Sequence, residues 1–203
     1  MLDKPALKLR PTSRYQDPAE LEWFVRMAQR LDVRSYLEIG SRFGDSFFAV
    51  MANLRPGAMG VSIDLPESPE NAARLGATLA ELNNLGQHCY LNFANSHNHL
   101  AHHFAKQFVA YYDLILIDGD HTYEGVKVDW DNYHRLGNVI AVHDIAAPDD
   151  WQSDGKPNGV QRFWRELVAD RESTIRPDGL HTHPTVQEFA TPGSNMGYGV
   201  VFR

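Results

Sequence analysis

The sequence has little cysteine and lacks long apolar segments. Its single cysteine, Cys89, rules out an intrachain disulfide and is typical of a reducing compartment, so we expect a cytoplasmic protein. No apolar run approaches the roughly 20 residues that a helix needs to cross a bilayer. Residues 1–18 contain prolines and charges without the apolar core of a signal peptide, so secretion is not expected.

Basic residues are also scarce relative to acidic ones. The chain has 19 Lys and Arg against 26 Asp and Glu, which gives a formal net charge of −7. An acidic surface disfavours binding to the phosphates of nucleic acid. We therefore predict a small molecule or a neutral glycan as the partner, and neither nucleic acid nor a membrane.

The composition is that of one globular domain. The 203 residues are 43% hydrophobic, enough to bury a sizeable core, and no repeat or low-complexity linker divides them. We therefore predict a single domain over residues 1–203. Residues 1–16 are interpreted as an N-terminal arm, a candidate for a lid or for the interface of a homo-oligomer.

Strands and helices alternate along the sequence. Short apolar segments predict strands at 35–39, 60–64, 89–93, 113–117 and 138–142, and the tail predicts two more at 186–190 and 198–202. The segments between them have the apolar spacing of amphipathic helices, one of which places Leu100, Phe104 and Phe108 on one face. This pattern predicts an α/β fold with a mostly parallel sheet and helices on both faces. In such sheets ligands bind beyond the carboxyl ends of the strands.

The first predicted strand ends in a glycine-containing turn, "EIGSRFG". Gly40 and Gly44 let the backbone turn tightly and approach a ligand. The NAD fingerprint requires further glycines where Arg42 and Asp45 stand. The acidic-x-Gly-x-x-x-Gly pattern that begins at Glu38 instead suits a nucleoside without a pyrophosphate. The alternative is a plain strand-to-helix turn.

Polar residues also follow the next two predicted strands. Asp64 ends the second strand, where a carboxylate can accept both hydroxyl protons of a ribose. The alternative role, a cap for the next helix, is already supplied by Ser68 ahead of Pro69. Asn95 and Ser96 follow the third strand, where they can contact the edge of a base or cap the following helix.

Carboxylates and imidazoles follow the fourth and fifth strands. Because neighbouring parallel strands end at the same edge of a sheet, Asp118, His143 and Asp144 are expected to converge. Two carboxylates and an imidazole with open positions suit Mg²⁺ or Mn²⁺, or else a borderline transition metal. Asp120 is interpreted as a cap of the following helix, and His121 as a base.

Two segments lack the pattern of a core element. Residues 97–103 contain four histidines, but no cysteine partners or metalloprotease spacing, so we interpret them as solvated helix surface rather than a structural zinc site. Residues 145–159 are rich in Pro, Asp and Gly and predict a mobile lid or substrate loop. In that loop Asp149, Asp150 and Asp154 are expected to help choose the acceptor.

Several motifs together resemble a known family. The glycine turn, Asp64, "LILIDGDHTYEGVKVD", "GNVIAVHDI", "GVQRFWREL" and "GYGVVF" are similar to class I S-adenosylmethionine-dependent methyltransferases. Within these, they resemble the small-molecule and sugar O-methyltransferase branch that includes the cephalosporin-hydroxylase-like proteins. The likeness extends from about residue 31 to residue 202. The IDGDHxYEGV segment with a downstream HD is its specific part, whereas the glycine loop is common to the superfamily.

The resemblance implies a fold and a cofactor. The fold is a Rossmann-like, doubly wound α/β sheet of seven strands with an antiparallel last strand, and the cofactor is S-adenosylmethionine. The glycine loop would line the methionine part of the cofactor, and Asp64 would bind the ribose. The candidate cofactor-binding residues are Glu38, Gly40, Ser41, Gly44, Asp64, Asn95, Ser96 and Asp118.

The resemblance also implies metal assistance. Asp118, His143 and Asp144 match the positions that hold Mg²⁺, and His121 matches the proposed base. The family commonly has a carboxylate at the position of His143, so this chain departs from the pattern there. We predict O-methylation of a hydroxyl on a small molecule or sugar, with the cation lowering the hydroxyl pKa and His121 taking the proton. The alternatives are a non-catalytic nucleoside-binding module and a metal-dependent hydroxylase that uses His121, His143 and Asp118.

Overall fold

The computed structural model describes residues 6–10, 16–148, 151–153, 155–172 and 186–203. The longest helix in these ranges has 16 residues, and none is long and apolar enough to cross a membrane. The helices are α1 Pro18–Arg30, α2 Asp45–Met51, α3 Pro69–Asn84, α4 His99–Ala105, α5 Tyr123–Tyr133 and α6 Val160–Glu172. The strands are β1 Ser35–Ile39, β2 Met59–Asp64, β3 His88–Phe93, β4 Tyr112–Ile117, β5 Gly137–His143, β6 Gln152–Ser153, β7 Lys156–Pro157, β8 Val186–Phe189 and β9 Tyr198–Phe202.

Seven of these strands form one sheet, in the order β3-β2-β1-β4-β5-β9-β8. Strands β1 to β5 pair in parallel, and β9 runs antiparallel to both of its neighbours, β5 and β8. The predicted fold class, a mostly parallel seven-stranded sheet with an antiparallel last strand, is therefore confirmed. Each predicted strand of the sheet begins at the expected residue or one residue earlier.

Helices cover both faces of the sheet, as predicted. On one face α1, α2 and α3 bury an apolar cluster that includes Phe24, Phe47 and Leu75. On the other face α4, α5 and α6 bury a second cluster that includes Trp130 and Phe163. Because both faces of the sheet are covered, the central strands β1 and β4 are mostly apolar. Polar residues are concentrated just after the carboxyl ends of these strands.

Of the three residues predicted to share an apolar face in and after α4, Phe104 and Phe108 pack against the second cluster and Leu100 does not. Leu100 is 61% exposed, and the small side chains of Ala101 and Ala105 face the sheet instead. Phe108 packs against Tyr90 of the edge strand, with 4.4 Å between the ring centroids.

Candidate functional site

The carboxyl ends of β1 to β5 border a cleft that consists of two cavities. The first cavity, of about 250 Å³, extends over the ends of β2 and β3, and the second, of about 280 Å³, extends over the end of β5. Gly40, Arg42, Asp118 and His121 line both cavities. Among the predicted site residues, Asp64, Asn95, Ser96 and Asp120 line the first, and Ser41, His143 and Asp144 line the second.

Gly40 allows the ends of β1 and β4 to meet at the centre of this cleft. Its φ is +85°, and a Cβ atom at this position would lie 2.2 Å from the backbone oxygen of Asp118. No side chain fits there without moving the backbone of the fourth strand. Gly44 has a φ of +81° and packs against Leu75 and Thr78 of α3, away from both cavities as far as the described residues define them.

Glu38 lies beneath the cleft rather than on its surface. Its carboxylate is fully buried and accepts hydrogen bonds from the Tyr36 hydroxyl and, at 2.7 Å, from Ser46 Oγ. Burial raises the pKa of Glu38 to about 7, against the opposing effect of these hydrogen bonds. Ser46 lines the second cavity, so within the described chain Glu38 reaches the cleft through Ser46. Its direct contact with a cofactor stays a prediction.

Asp64 is placed as predicted, at the end of β2 and at the wall of the first cavity. Its Oδ2 atom accepts a hydrogen bond from the backbone N–H of Arg42 at 2.7 Å, which links β2 to the glycine turn. Arg42 has a φ of +48°, the left-handed region that a side chain rarely adopts, and this bond helps to hold it there. Burial raises the pKa of the Asp64 carboxyl.

Asn95 and Ser96 line the first cavity after β3. The expectation that Ser96 caps the next helix is wrong, because Asn98 is the N-cap of α4 and its side chain accepts from the backbone N–H of Leu100. Asn95 Oδ1 accepts from the backbone N–H of His97 and so stabilises the turn between strand and helix. The contact of Asn95 and Ser96 with a base stays a prediction.

Asp118, His143 and Asp144 converge at the ends of β4 and β5. His143 Nδ1 lies 3.2 Å from Asp118 Oδ1 and 3.2 Å from Asp144 Oδ1. Each of the three residues offers one possible ligand atom, and these atoms lie within 4.8 Å of one another. His121 completes the cluster, with its Nε2 atom 3.4 Å from Asp118 Oδ1 and 3.2 Å from Asp144 Oδ2.

The four groups strongly affect one another's charge. Although burial disfavours the imidazolium form, hydrogen bonds to Asp118 and Asp144 raise the pKa of His121 to about 10. Burial likewise opposes protonation of His143, but the charges of Asp118 and Asp144 raise its pKa to about 9. Burial would raise the pKa of Asp118, yet the charge of His143 and the bond to His121 hold it well below its usual range. The two carboxylates therefore create a strong local preference for positive charge.

The three converging residues fit a divalent cation. Carboxylate oxygens suit Mg²⁺ and Mn²⁺, and an imidazole nitrogen suits Mn²⁺ less well than it suits Fe²⁺ or Zn²⁺. His143 presents Nδ1 to both carboxylates, whereas its buried Nε2 has no hydrogen-bond partner among the described residues. The ring is therefore oriented by its contacts within the cluster.

Asp120 does not cap α5, and that prediction is wrong. Thr122 is the N-cap, and its side chain accepts from the backbone N–H of Gly125. Asp120 Oδ1 accepts from the backbone N–H of Thr122 at 2.9 Å, which braces the turn between β4 and α5. A Cβ atom on Gly125 would lie 2.2 Å from Asp120 Cγ, so this glycine makes room for the carboxylate.

The segment 145–159 approaches both cavities. Trp151 lines the second cavity and Lys156 lines the first. The segment is more regular than predicted, because β6 and β7 pair antiparallel within it. The backbone N–H of Gly159 donates to the His121 carbonyl at 2.8 Å and so attaches the segment to the turn between β4 and α5. Asp149, Asp150 and Asp154 lie outside the described residues, and the role of the segment as a lid stays a prediction.

The N-terminal arm is described in part, since residues 1–5 and 11–15 lie outside the described ranges. Gln16 lines the second cavity and accepts a hydrogen bond from the Tyr198 hydroxyl at 2.9 Å. Arg10 donates to Thr78 Oγ1 on α3 at 2.8 Å. The arm is therefore packed against the domain at these points, one of them beside the cleft.

Several residues of the cleft were not predicted as site residues, among them Arg42, Trp151, Lys156 and His97. Trp151 and Lys156 lie in the segment 145–159, whose position the sequence does not define. His97 belongs to the histidine-rich segment interpreted as surface, yet it lines the first cavity, whereas His99 is exposed. The sequence feature that could have identified His97 as a cleft residue is its position just after β3, at the ligand-binding edge of the sheet.

Residues 37–145, more than half of the chain, match the sequence model of a family described as a methyltransferase domain. A search of curated proteins finds no significant match.

Solved structures with the same fold include several O-methyltransferases. The enzyme from Bacillus cereus, in complex with SAH, has a TM-score of 0.66 and 18% identity over 95% of this chain and 84% of its own. TomG from Streptomyces achromogenes, which is involved in tomaymycin synthesis and was solved with SAM, has a TM-score of 0.64 and 18% identity over 92% of this chain and 80% of its own. The SAH-bound methyltransferase PaMTH1 from Podospora anserina has a TM-score of 0.62 and 18% identity over 92% and 79%. At these identities the likeness shows the fold.

Proposed function

The chain belongs to the methyltransferase-domain family, and from this premise we propose that it transfers the methyl group of S-adenosylmethionine to a hydroxyl oxygen of a small molecule or sugar. One observation is central to the proposal: His121 lines both cavities of the cleft and lies at their junction. An imidazole at that point faces a methyl donor in one cavity and an acceptor in the other.

The first cavity suits the nucleoside part of the donor. The Asp64 carboxylate at its wall can accept hydrogen bonds from ribose hydroxyls, because its two oxygens offer about four acceptor sites and the backbone of the glycine turn uses only part of them. Asn95 and Ser96 offer amide and hydroxyl groups to the base.

The second cavity suits the acceptor. Gln16 and Ser46 offer hydrogen bonds to hydroxyl groups, and Trp151 and Phe43 offer flat apolar surfaces. An acceptor hydroxyl held here is next to the His121 imidazole, which can take its proton as the oxygen–methyl bond forms. The protein contributes mainly alignment of the two reactants and exclusion of water.

Asp118, His143 and Asp144 would hold a divalent cation beside the acceptor. Bound there, the cation would lower the pKa of the acceptor hydroxyl and offset the carboxylate charge that favours the imidazolium form of His121. His121 remains able to exchange a proton with the acceptor because its side chain is only partly buried. Mg²⁺ and Mn²⁺ are the first candidates.

The segment 145–159 would act as a cover for the cleft. Trp151 and Lys156 reach one cavity each, and Gly159 ties the end of the segment to the His121 backbone. Closure of such a segment excludes water from the methyl transfer. Because Trp151 lines the acceptor cavity, it would also help to select the acceptor.

The proposal is tested by transfer of an isotopically labelled methyl group to a library of sugars, phenols and other hydroxyl compounds. Binding of S-adenosylhomocysteine is measured separately by calorimetry. We expect the wild type to bind the nucleoside and to methylate at least one acceptor class. We expect His121→Ala to lose at least about a hundredfold in kcat while it retains nucleoside binding. His99→Ala, at an exposed histidine of α4, is the matched control.

The other outcomes separate the alternatives. Nucleoside binding without methylation of any acceptor would support a non-catalytic binding module. Turnover that depends on oxygen and 2-oxoglutarate would support a hydroxylase. Methylation that survives in His121→Ala would remove the base from the mechanism and leave the transferase function intact.

A further inference from the structure

Asp129 is a buried carboxylate that the proposed reaction does not use. It lies on α5 with 0% of its surface exposed, and within the described residues neither carboxylate oxygen makes a hydrogen bond of good geometry, although the Ser96 side chain and the Asp120 backbone lie near enough to lower its pKa. Burying a carboxylate with such weak partners is costly, so the group calls for a functional or structural reason. The imidazole of His97 lies beside it.

His97 connects this buried group to the first cavity. Its Nε2 atom lies 3.5 Å from Asp129 Oδ1, and this atom is also buried without a hydrogen bond. The ring itself lines the cavity beside Asn95 and Ser96, the residues that follow β3. The Nε2 edge of the imidazole therefore contacts a buried carboxylate, and the His97 side chain also lines the cavity proposed to bind the base.

We propose that Asp129 fixes the tautomer of His97, and that His97 Nδ1 accepts a hydrogen bond from the exocyclic amino group of the bound base. With the Nε2 proton directed at the carboxylate, Nδ1 of the neutral ring is left as an acceptor. His97 is then a specificity-determining residue, and Asp129 is the positioning residue behind it. The inference rests on the proposed function, because it assumes that a nucleoside occupies the first cavity.

The consequence is discrimination between two purines. Adenine presents an amino donor at the position where hypoxanthine presents a carbonyl acceptor. The acceptor nitrogen of His97 would accept a hydrogen bond from the amino group of adenine. With hypoxanthine the same nitrogen would face a carbonyl oxygen, which is also an acceptor. A site built to bind one polar group rejects an analogue that leaves its own polar atoms unpaired.

A structural role for Asp129 makes a different prediction. A Cβ atom on Gly119 would lie 3.0 Å from Asp129 Oδ2, so the carboxylate also packs against the turn that follows β4. If supporting that turn were its whole role, substitution would weaken the binding of both purine nucleosides by the same factor.

Burial raises the pKa of Asp129 to about 6, so the measurement is made at a pH above that value, where the carboxylate is ionised.

The test measures by calorimetry the affinities of S-adenosylhomocysteine and its deaminated analogue, S-inosylhomocysteine. The variants are His97→Phe, which keeps a flat ring without nitrogen, and Asp129→Asn, which can donate to Nε2 and reverse the tautomer. His99→Phe is the matched control, because His99 is an exposed histidine two positions along the same segment. We expect wild type and control to prefer the adenosyl compound by about tenfold or more, the effect of one hydrogen bond.

In His97→Phe we expect that preference to fall to near unity, and in Asp129→Asn to fall or to reverse. Equal losses for both compounds, or an unchanged preference in His97→Phe, would overturn the inference. If Asp129→Asn does not fold, His97→Phe decides alone. A wild type that binds both compounds equally would overturn this inference and leave the proposed function standing, whereas a wild type that binds neither would overturn both.

Discussion

His121 Nε2 lies 3.2 Å from Asp144 Oδ2, although the two residues follow different strands of the sheet. The contact exists because β4 and β5 are parallel neighbours and end at the same edge. The contact places the proposed base, His121, directly beside the carboxylate of Asp144, a proposed cation ligand. The state of the base and the occupancy of the cation site are therefore coupled by direct electrostatics.

Asp144→Ala should abolish cation binding without abolishing nucleoside binding. The substitution removes one of three converging ligand groups, and loss of even an outer-sphere partner typically costs 10–100-fold in metal affinity. We expect Mn²⁺ affinity, measured by electron paramagnetic resonance, to fall by more than about a hundredfold. Asp131→Ala, at an exposed acid paired with Lys127, should leave it unchanged. Equal Mn²⁺ binding by both variants and the wild type would place the cation elsewhere.

Asp64→Asn should weaken nucleoside binding more than it weakens the fold. The amide can still accept from the Arg42 backbone N–H, but it has one acceptor oxygen where the carboxylate has two. We expect the affinity for S-adenosylhomocysteine, measured by calorimetry, to fall by about ten- to a hundredfold, because a hydrogen bond to a charged group contributes about 1.5–3 kcal/mol. An unchanged affinity with a normal melting temperature would contradict the role of Asp64 at the ribose.

The sequence predicted the sheet and most of the cluster because both depend on local patterns. The strands are short apolar segments bounded by turn residues, and β1 begins and ends at the predicted residues. Convergence of Asp118 and His143 followed from the single rule that parallel neighbours end together. The resemblance to class I S-adenosylmethionine-dependent methyltransferases is confirmed by the family match over residues 37–145.

What the sequence did not predict depends on side-chain packing between distant segments. The pairing of His97 with Asp129 depends on how the turn after β3 packs against α5, and no spacing rule connects the two residues. The sequence could not show that Thr122 rather than Asp120 caps α5, because both residue types are good N-caps. Only the backbone geometry decides between them. The exposure of Leu100 likewise depends on packing, because the small side chains of Ala101 and Ala105 are the ones that α4 buries.

Gly40→Ala should destabilise the protein at the cleft, and Gly57→Ala provides the matched control. Both glycines have a positive φ, but a Cβ atom on Gly57 meets nothing within 4 Å, whereas one on Gly40 lies 2.2 Å from the Asp118 backbone oxygen. The control therefore measures backbone strain alone, about 1–2 kcal/mol. We expect Gly40→Ala to lower the free energy of unfolding, measured in urea, by clearly more than the control does. Equal losses would mean that the close approach of β1 and β4 is not maintained in solution.

Glu38→Gln should change how the stability of the protein depends on pH. Burial raises the folded-state pKa of Glu38 from 4.5 to about 7, so the folded state binds this proton more tightly than the unfolded state does. The stabilisation is complete below about pH 4.5 and is lost as the pH rises to about 7, a difference on the order of 3 kcal/mol at 1.36 kcal/mol per pKa unit. The glutamine variant cannot ionise, so we expect its free energy of unfolding in urea to decline less than that of the wild type between pH 5 and pH 8. Parallel pH profiles for the two proteins would show that Glu38 is not held in its protonated form by the fold.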